Sequence, residues 1–487
     1  MTRTAILSAE LADHDANVMS WRHRVNDLSQ GSVFPEKYND RQTGTAISVN
    51  SSNGLGVVRT TPFFASLYQF CLPDRCPLKW ARHHAQPAIV IPATPGSGRS
   101  KLPRTVVIVG LVSLLNDFAS EMVVPLIPLL LATALAAGPV ALGLIEGVAD
   151  TVSNLLKLWA GRHSDLYGRR RKPYVVFGYL LSNLARPFIG ISGSWLTVLS
   201  IRVTDRIGKG VRTAPRDALI SDAIDDGIAG RAYGFTRALD HAGAVLGALA
   251  AAAIVYWGNA RLDVVIALSA IPGLLAVGLF AFGIRETPRP VVLPAERAPL
   301  RWTRLSPVSR RYLLVLAFFT LGKIPETFLL LRGHELGMPV VELLLLWAAM
   351  HVVKAAIAEQ AGSHTDRVGR RPLILTGWMV YAVTLFALAF VTQPLMLWAW
   401  SLALGFYFGL TEGAERALVR DLAAPVERGT AFGWFHMLVG TAAIPAGLLL
   451  GGLWSLYGVK IAFLVSSGLA CLATIGFWQW LGIKPVK

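Results

Sequence analysis

A chain of 487 residues that is 53% hydrophobic and 16% charged, with mean hydropathy +0.50, is not a soluble globular protein, in which about a quarter of residues are charged. The net charge of +16 falls mainly in alternate turns between apolar segments and has no zinc or nucleic-acid-binding pattern with it, so orientation in a membrane, not nucleic acid, explains it. Three cysteines (Cys71, Cys76, Cys471) cannot build a disulfide framework. With no further Cys or His pair at finger spacing, Cys71 and Cys76 read as ordinary thiols and no metal is expected. Residues 1–103 come first and differ from the rest of the chain: mixed in charge, rich in Ser, Asn, Thr and Pro, with no uncharged run of membrane length. Their most apolar piece, 54–72, contains Arg59 and stops at Pro73-Asp74-Arg75. No basic start, apolar core and small-residue cleavage site come in succession, so no signal peptide is expected. The segment reads either as a poorly ordered cytoplasmic tail or as a gene-model extension ahead of a later start.

From Thr105 onward apolar segments arrive regularly. A membrane-spanning helix needs about twenty residues. Twelve spans are predicted: 105–132, 139–160, 173–192, 195–214, 231–257, 263–283, 312–331, 340–361, 373–391, 395–415, 429–455 and 461–481. After the second span, 161–172 reads G-R-H-S-D-L-Y-G-R-R-R-K, a short basic turn. After the eighth, 362–371 reads G-S-H-T-D-R-V-G-R-R. Gly161, His163, Asp165, Gly168, Arg169 and Arg170 recur 201 residues later as Gly362, His364, Asp366, Gly369, Arg370 and Arg371. G-R-A-Y-G-F from Gly230 likewise matches G-T-A-F-G-W from Gly429, and D-A-L-I-S-D at 217–222 matches R-A-L-V-R-D at 416–421. The membrane part is therefore a tandem repeat. Its parts are a six-helix bundle at 104–283, a Pro- and Arg-rich cytoplasmic linker at 284–311 and a second bundle at 312–483. Turns at 161–172, 211–231, 284–311 and 366–371 carry about twenty Lys and Arg, the alternate turns only Arg261, Arg332 and Lys460, which places both termini inside.

Ionisable residues within spans are costly and are candidate functional groups. The first span carries Asn116, Asp117 and Glu121, the last two on one face, followed by P-L-I-P at 125–128, which can bend the helix. The second carries Glu146, Asp150 and Lys157 on one stripe. Carboxylates at this depth are the groups a proton-coupled carrier needs; permanent pairing with Lys157 or with arginines of the fourth span is the alternative. The fourth span is densest, I-R-V-T-D-R-I-G-K-G from Ile201, with Arg202 and Arg206 one turn apart and Asp205 beside them; a first-span carboxylate is expected to meet one of these arginines. The fifth span holds Arg237, Asp240 and His241, then G-A-V-L-G at 243–247, whose glycines suit close helix packing.

The second half is lightly charged: Lys323 and Glu326, expected to pair with each other, then His351, Lys354, Glu412 and His436. His351 stands at the repeat position of Asp150, so the halves diverge where a binding site would lie. Trp347, Trp378, Trp398, Trp400, Tyr407 and Trp434 read mostly as packing or interface belt, with one or two lining a cavity.

The paired loops resemble the G-x-x-x-D-(R/K)-x-G-R-(R/K) signature of the major facilitator superfamily, with Leu166 departing from it and Arg367 conforming. The resemblance implies an all-α polytopic fold of twelve transmembrane helices in two six-helix pseudo-repeats, working by alternating access. It also implies that Gly161, Asp165, Gly168, Arg169 and Arg170, with Gly362, Asp366, Arg367, Gly369, Arg370 and Arg371, form conformational latches. Arg206-x-x-Lys209-Gly210 resembles the Arg-x-x-Gln-Gly signature of proton-coupled members, with Lys replacing Gln, and Pro125-x-x-Pro128 resembles exporters. The Gly-Pro-x-x-Gly pattern common in exporters lacks its proline here. Asp117, Glu121, Glu146, Asp150, Arg202, Arg206, Asp240, Glu326 and Glu412 are the candidate coupling and cavity residues. The expectation is a bacterial inner-membrane secondary transporter, monomeric and without cofactor, coupling protons to export of a small organic solute. Proton-driven uptake, facilitated diffusion and a non-transporting sensor or scaffold are the alternatives. Absence of Walker A, H-E-x-x-H and G-x-S-x-G motifs argues against an enzyme.

Overall fold

The structure, a computed structural model, describes residues 37–40, 45–48, 102–166, 170–224, 228–286, 301–423 and 427–481. In the N-terminal unit, Met1–Arg99, strands β1 (Lys37–Asp40) and β2 (Thr45–Ser48) pair antiparallel, Lys37 opposite Ser48 and Asp40 opposite Thr45. Tyr38, Thr45 and Ile47 are residue types that favour strands. The rest of that unit and linker residues 287–300 lie outside the described residues.

The second unit, Ser100–Lys487, is helical among its described residues. Its first six helices are α1 (Arg104–Thr133), α2 (Pro139–Leu166), α3 (Lys172–Ala185, tightened into a further turn at Arg186–Ile189), α4 (Trp195–Asp222), α5 (Ala229–Gly258) and α6 (Leu262–Gly283). The next four are α7 (Pro307–Leu321, a break, then Thr327–Glu335), α8 (Val340–Val368), α9 (Arg370–Leu388) and α10 (Pro394–Leu422). The final run, Arg428–Leu481, changes direction at Gly458, whose φ of +84° only glycine adopts without strain, giving α11 (428–457) and α12 (459–481). Local chemistry sets the boundaries. Ser194 accepts the Thr197 N–H at 3.3 Å to open α4, and Ser306 accepts the Ser309 N–H at 3.1 Å to open α7. Pro125 does not end α1 but tightens one turn at Val124–Leu126.

Helices α2, α4, α8 and α10 run seven residues or so past the predicted spans, to Leu166, Asp222, Val368 and Leu422. The basic turn expected at 161–172 therefore begins as helix, and so does its repeat before Gly369. Hydropathy marks where the bilayer ends, whereas Arg, Leu and Ala continue a helix into the polar layer. Eight of the twelve helices are apolar enough to cross a membrane, the last two as one run; α2 and α4 carry too much charge, α3 is short and α7 is broken.

The halves meet where α2 packs along α11. A Cβ on Gly143 would lie 2.0 Å from the Gly447 carbonyl oxygen, and one on Gly447 would lie 2.1 Å from that of Gly143, so the backbones touch. This seam is at the end of α2 remote from the basic loops. Within the first half, Gly243 and Gly247 press equally closely on Leu114 and Phe118 of α1, the packing role expected of them.

Candidate substrate cavity

Between the halves lies a cavity of about 370 Å³, within the range of small-molecule sites. The first half contributes Glu121 from α1, Glu146 and Asp150 from α2, and Arg202, Arg206 and Lys209 from α4. Spacings of four and three residues put each group on one helix face. The second half contributes Lys323 and Glu326 at the α7 break, and Trp347, His351 and Lys354 from α8. Phe408 of α10 and Val439 and Ala443 of α11 complete an apolar wall. Exposure rises along both first-half helices toward the basic loops. Arg202 is 1% exposed, Arg206 half-buried and Lys209 exposed; Glu146 is buried and Asp150 exposed. The cavity opens on the basic side and is shut at the Gly143–Gly447 seam.

Its floor is an ion network. Arg202 reaches both Glu146 oxygens at 3.3 and 3.4 Å and Asp205 at 3.4 Å, and Asp205 also accepts the Arg186 Nε–H at 2.8 Å. Arg186 in turn donates to Asn183 Oδ1 at 2.9 Å and to the Asn116 carbonyl at 3.3 Å. The expected meeting of α4 with a first-helix carboxylate is thus corrected: α2 supplies the partner of Arg202. Glu121 instead crosses to the other half, accepting the Trp347 indole N–H at 2.8 Å with His351 Nε2 3.9 Å away. The expected Lys323–Glu326 pair is corrected too. The break between Leu321 and Thr327 removes the helical spacing on which that pair depends, so Lys354 takes Glu326. Lys323 lies 3.9 Å from Glu415 and over the rings of Phe319 and Tyr407.

Three candidates lie away from the cavity wall. Asp117 accepts from the side chain of its neighbour Asn116 at 3.0 Å. Asp240 and Glu412 flank Arg237, at 4.0 and 3.8 Å, in a partly exposed bridge from α5 to α10. In the loops, Gly168 and Arg169 lie outside the described residues, as do the side chains of Asp165, Asp366 and Arg367. Gly161 packs near Ala214, Arg170 is exposed, and Arg370 pairs with Asp421. The first-half counterpart of that pair is Arg171–Asp222 at 2.6 Å, with the same 51-residue separation. Backbone N–H groups of Arg171 and Lys172 are also held by the Glu286 carboxylate, both at 2.7 Å.

Sequence reasoning missed Arg186, Asp222 and Asp421, and it left open which of the named aromatics lines the cavity; Trp347 does. The repeat carried the signal for the last: the offset that sets His351 on Asp150 sets Trp347 on Glu146.

The Major Facilitator Superfamily profile matches residues 109–358 and again 327–487. The chain is 32% identical over 381 residues, 77% of its length and 94% of the relative's, to the uncharacterized MFS-type transporter MJ1317 of Methanocaldococcus jannaschii. A shorter stretch of 178 residues, 33% of this chain and 44% of the relative, is 27% identical to the multidrug resistance protein MdtH of Proteus mirabilis. Among solved structures, a bacterial homologue of the human lysosomal transporter Spinster, inward-facing and unoccupied, superposes with TM-score 0.61 at 16% identity, covering 77% of this chain and 96% of that one. With the twelve-helix repeat and the cavity between its halves, these matches place the chain in the Major Facilitator Superfamily, as a multi-pass membrane transporter.

Proposed function

We propose that the chain couples protons to the export of a small organic solute, by alternating access about the cavity between its halves. The observation that carries this reading is Glu121: a carboxylate at the cavity wall whose hydrogen bond, to Trp347, joins one half to the other. A proton arriving there changes a contact between the two moving bodies, which is the minimum that coupling requires. Arg202 and Glu146, paired inside one half, are a strut in this scheme, and Arg206 faces solute or proton. Positive-inside orientation puts the basic loops in the cytoplasm, so the cavity is inward-open and the Gly143–Gly447 seam is the outer gate. Export is favoured by the proline step in α1 and by the partial likeness to MdtH. The chain then acts as a monomer in the bacterial inner membrane, with no cofactor beyond the proton.

The test is flux in liposomes under an imposed pH gradient, with a panel of organic acids, amines and neutral compounds. Accumulation of at least one compound should follow the gradient and be lost in Glu121→Gln. Flux that ignores the gradient and survives Glu121→Gln would replace coupling with facilitated diffusion.

A further inference from the structure

The charges around the cavity do not cancel pairwise. Arg202 is bound to Glu146, Lys354 to Glu326, and Lys323 rests between Glu415 and two aromatic rings. Glu121 is engaged by Trp347. What is left on the first-half wall is Arg206 and Lys209, three residues apart on one face of α4, with no carboxylate of the described residues within ion-pair distance of either. The Arg206 Nε is buried and lacks a hydrogen-bond partner, as does the Nε of Arg202 deeper in the same wall, but Arg202 has its carboxylates and Arg206 has none. Lys157, on the stripe of α2 that carries Asp150, adds a third cation and, among the described residues, donates to Asn154 Oδ1 at 3.3 Å. Glu121 and Asp150 in the wall and Asp117 behind it equal these three cations in number, but none of the three carboxylates is within ion-pair distance of Arg206 or Lys209. Facing these two cations is the apolar wall of Phe408, Val439 and Ala443.

A buried guanidinium nitrogen without a partner is costly unless something occupies it. We infer that Arg206 and Lys209 form the subsite for an anionic head group, so that the solute is an organic acid, carboxylate or phosphate, whose apolar body lies against Phe408 and α11. The planar guanidinium supplies paired donors and the lysine a mobile point charge, the two complementary ways of holding such a group. This inference rests on the transporter reading but not on proton coupling.

The experiment is equilibrium dialysis of the purified full chain with radiolabelled phenylacetate, phenyl phosphate, phenethylamine and phenylacetamide, which share a ring and differ in charge. One or both anions should bind, about tenfold or more tighter than the amine or the amide, as expected when a charge-assisted contact is made. Arg206→Gln and the exposed-site variant Lys209→Gln should each weaken that binding by about tenfold, while Arg261→Gln, in an exposed turn outside the cavity lining, leaves it in place. Whichever anion binds more tightly identifies the head group. Preference for the amine or amide, binding by none of the four, or anion binding unchanged in Lys209→Gln would each overturn the subsite. Anion binding with flux that ignores a pH gradient keeps this inference and removes coupling; gradient-driven flux of an amine does the reverse.

Discussion

The two halves share a fold and a repeat but solve the problem of a membrane interior differently. Under the 201-residue offset that aligns the loops, Glu146 and Asp150 fall on Trp347 and His351. Under the 199-residue offset that aligns 217–222 with 416–421, Arg202, Asp205, Arg206 and Lys209 fall on Ser401, Leu404, Gly405 and Phe408. The first half is centred on charges, Arg186–Asp205–Arg202–Glu146, each at most 6% exposed. The second is centred on rings. Phe319 stacks on Trp378 with centroids 4.0 Å apart and planes 6° from parallel, with Tyr381, Tyr407 and Phe477 packed around them. Since one set of helices folds around either interior, the ion network is not a requirement of the fold. Its cost points to work done in the first half, against a second half that behaves as a packed body.

The sharpest way to break this contrast is Asp205→Ala, which strands Arg186 and Arg202 in a buried site. Removing one partner of such a network costs about 3–5 kcal/mol, and thermal unfolding of the purified chain should show the loss directly. In the second half, Phe319→Ala should cost about 3 kcal/mol, the lower end for a large aromatic, because lipid competes for the exposed apolar surface less sharply than water does. If Phe319→Ala proves harmless, the second half is not the rigid body the rings imply. A double change, Glu146→Leu with Arg202→Met, sharpens the comparison further. Replacing a whole buried pair by apolar groups is often nearly neutral, within about 1 kcal/mol, whereas either single change is severe. A folded but flux-dead double variant would assign the pair to function, and an active one would make it a replaceable strut. The smallest effect is expected for Arg237→Ala at the exposed bridge to Glu412, about 0.5 kcal/mol or less, so a larger loss of Tm would show the halves bound together at the basic rim.

Much of the fold was readable because a membrane imposes a coarse rule, and Gly161–Arg170 against Gly362–Arg371 announced the duplication. Where the helices stop was not, because polar residues at 161–166 and 362–368 hold helix as well as turn. The candidate residues located the cavity's charged wall: Glu121, Glu146, Asp150, Arg202, Arg206 and Glu326 line it together. The alternative that second-span carboxylates pair with fourth-span arginines holds for Glu146 and Arg202, and the other pairings failed for a definite reason. Spacing along one helix says which residues share a face, but the partners of Glu121 and Glu326 come from other helices, across gaps set by packing. Arg186 lies inside the predicted third span, 173–192, where it is the one charged residue, so the cost of a charge within a span was the signal that marked it.

The Trp347–Glu121 hydrogen bond carries a thermodynamic obligation. Its donor belongs to one half and its acceptor to the other, and an indole N–H binds a carboxylate more strongly than a carboxylic acid. Linkage is reciprocal: by whatever factor separating the halves alters the proton affinity of Glu121, protonating Glu121 alters the equilibrium between closed and separated halves by that same factor. One quantity can therefore be measured from two ends, as a pH-dependent distance between labels on α1 and α8 and as a conformation-dependent proton affinity. Both dependences should shrink together in Trp347→Phe.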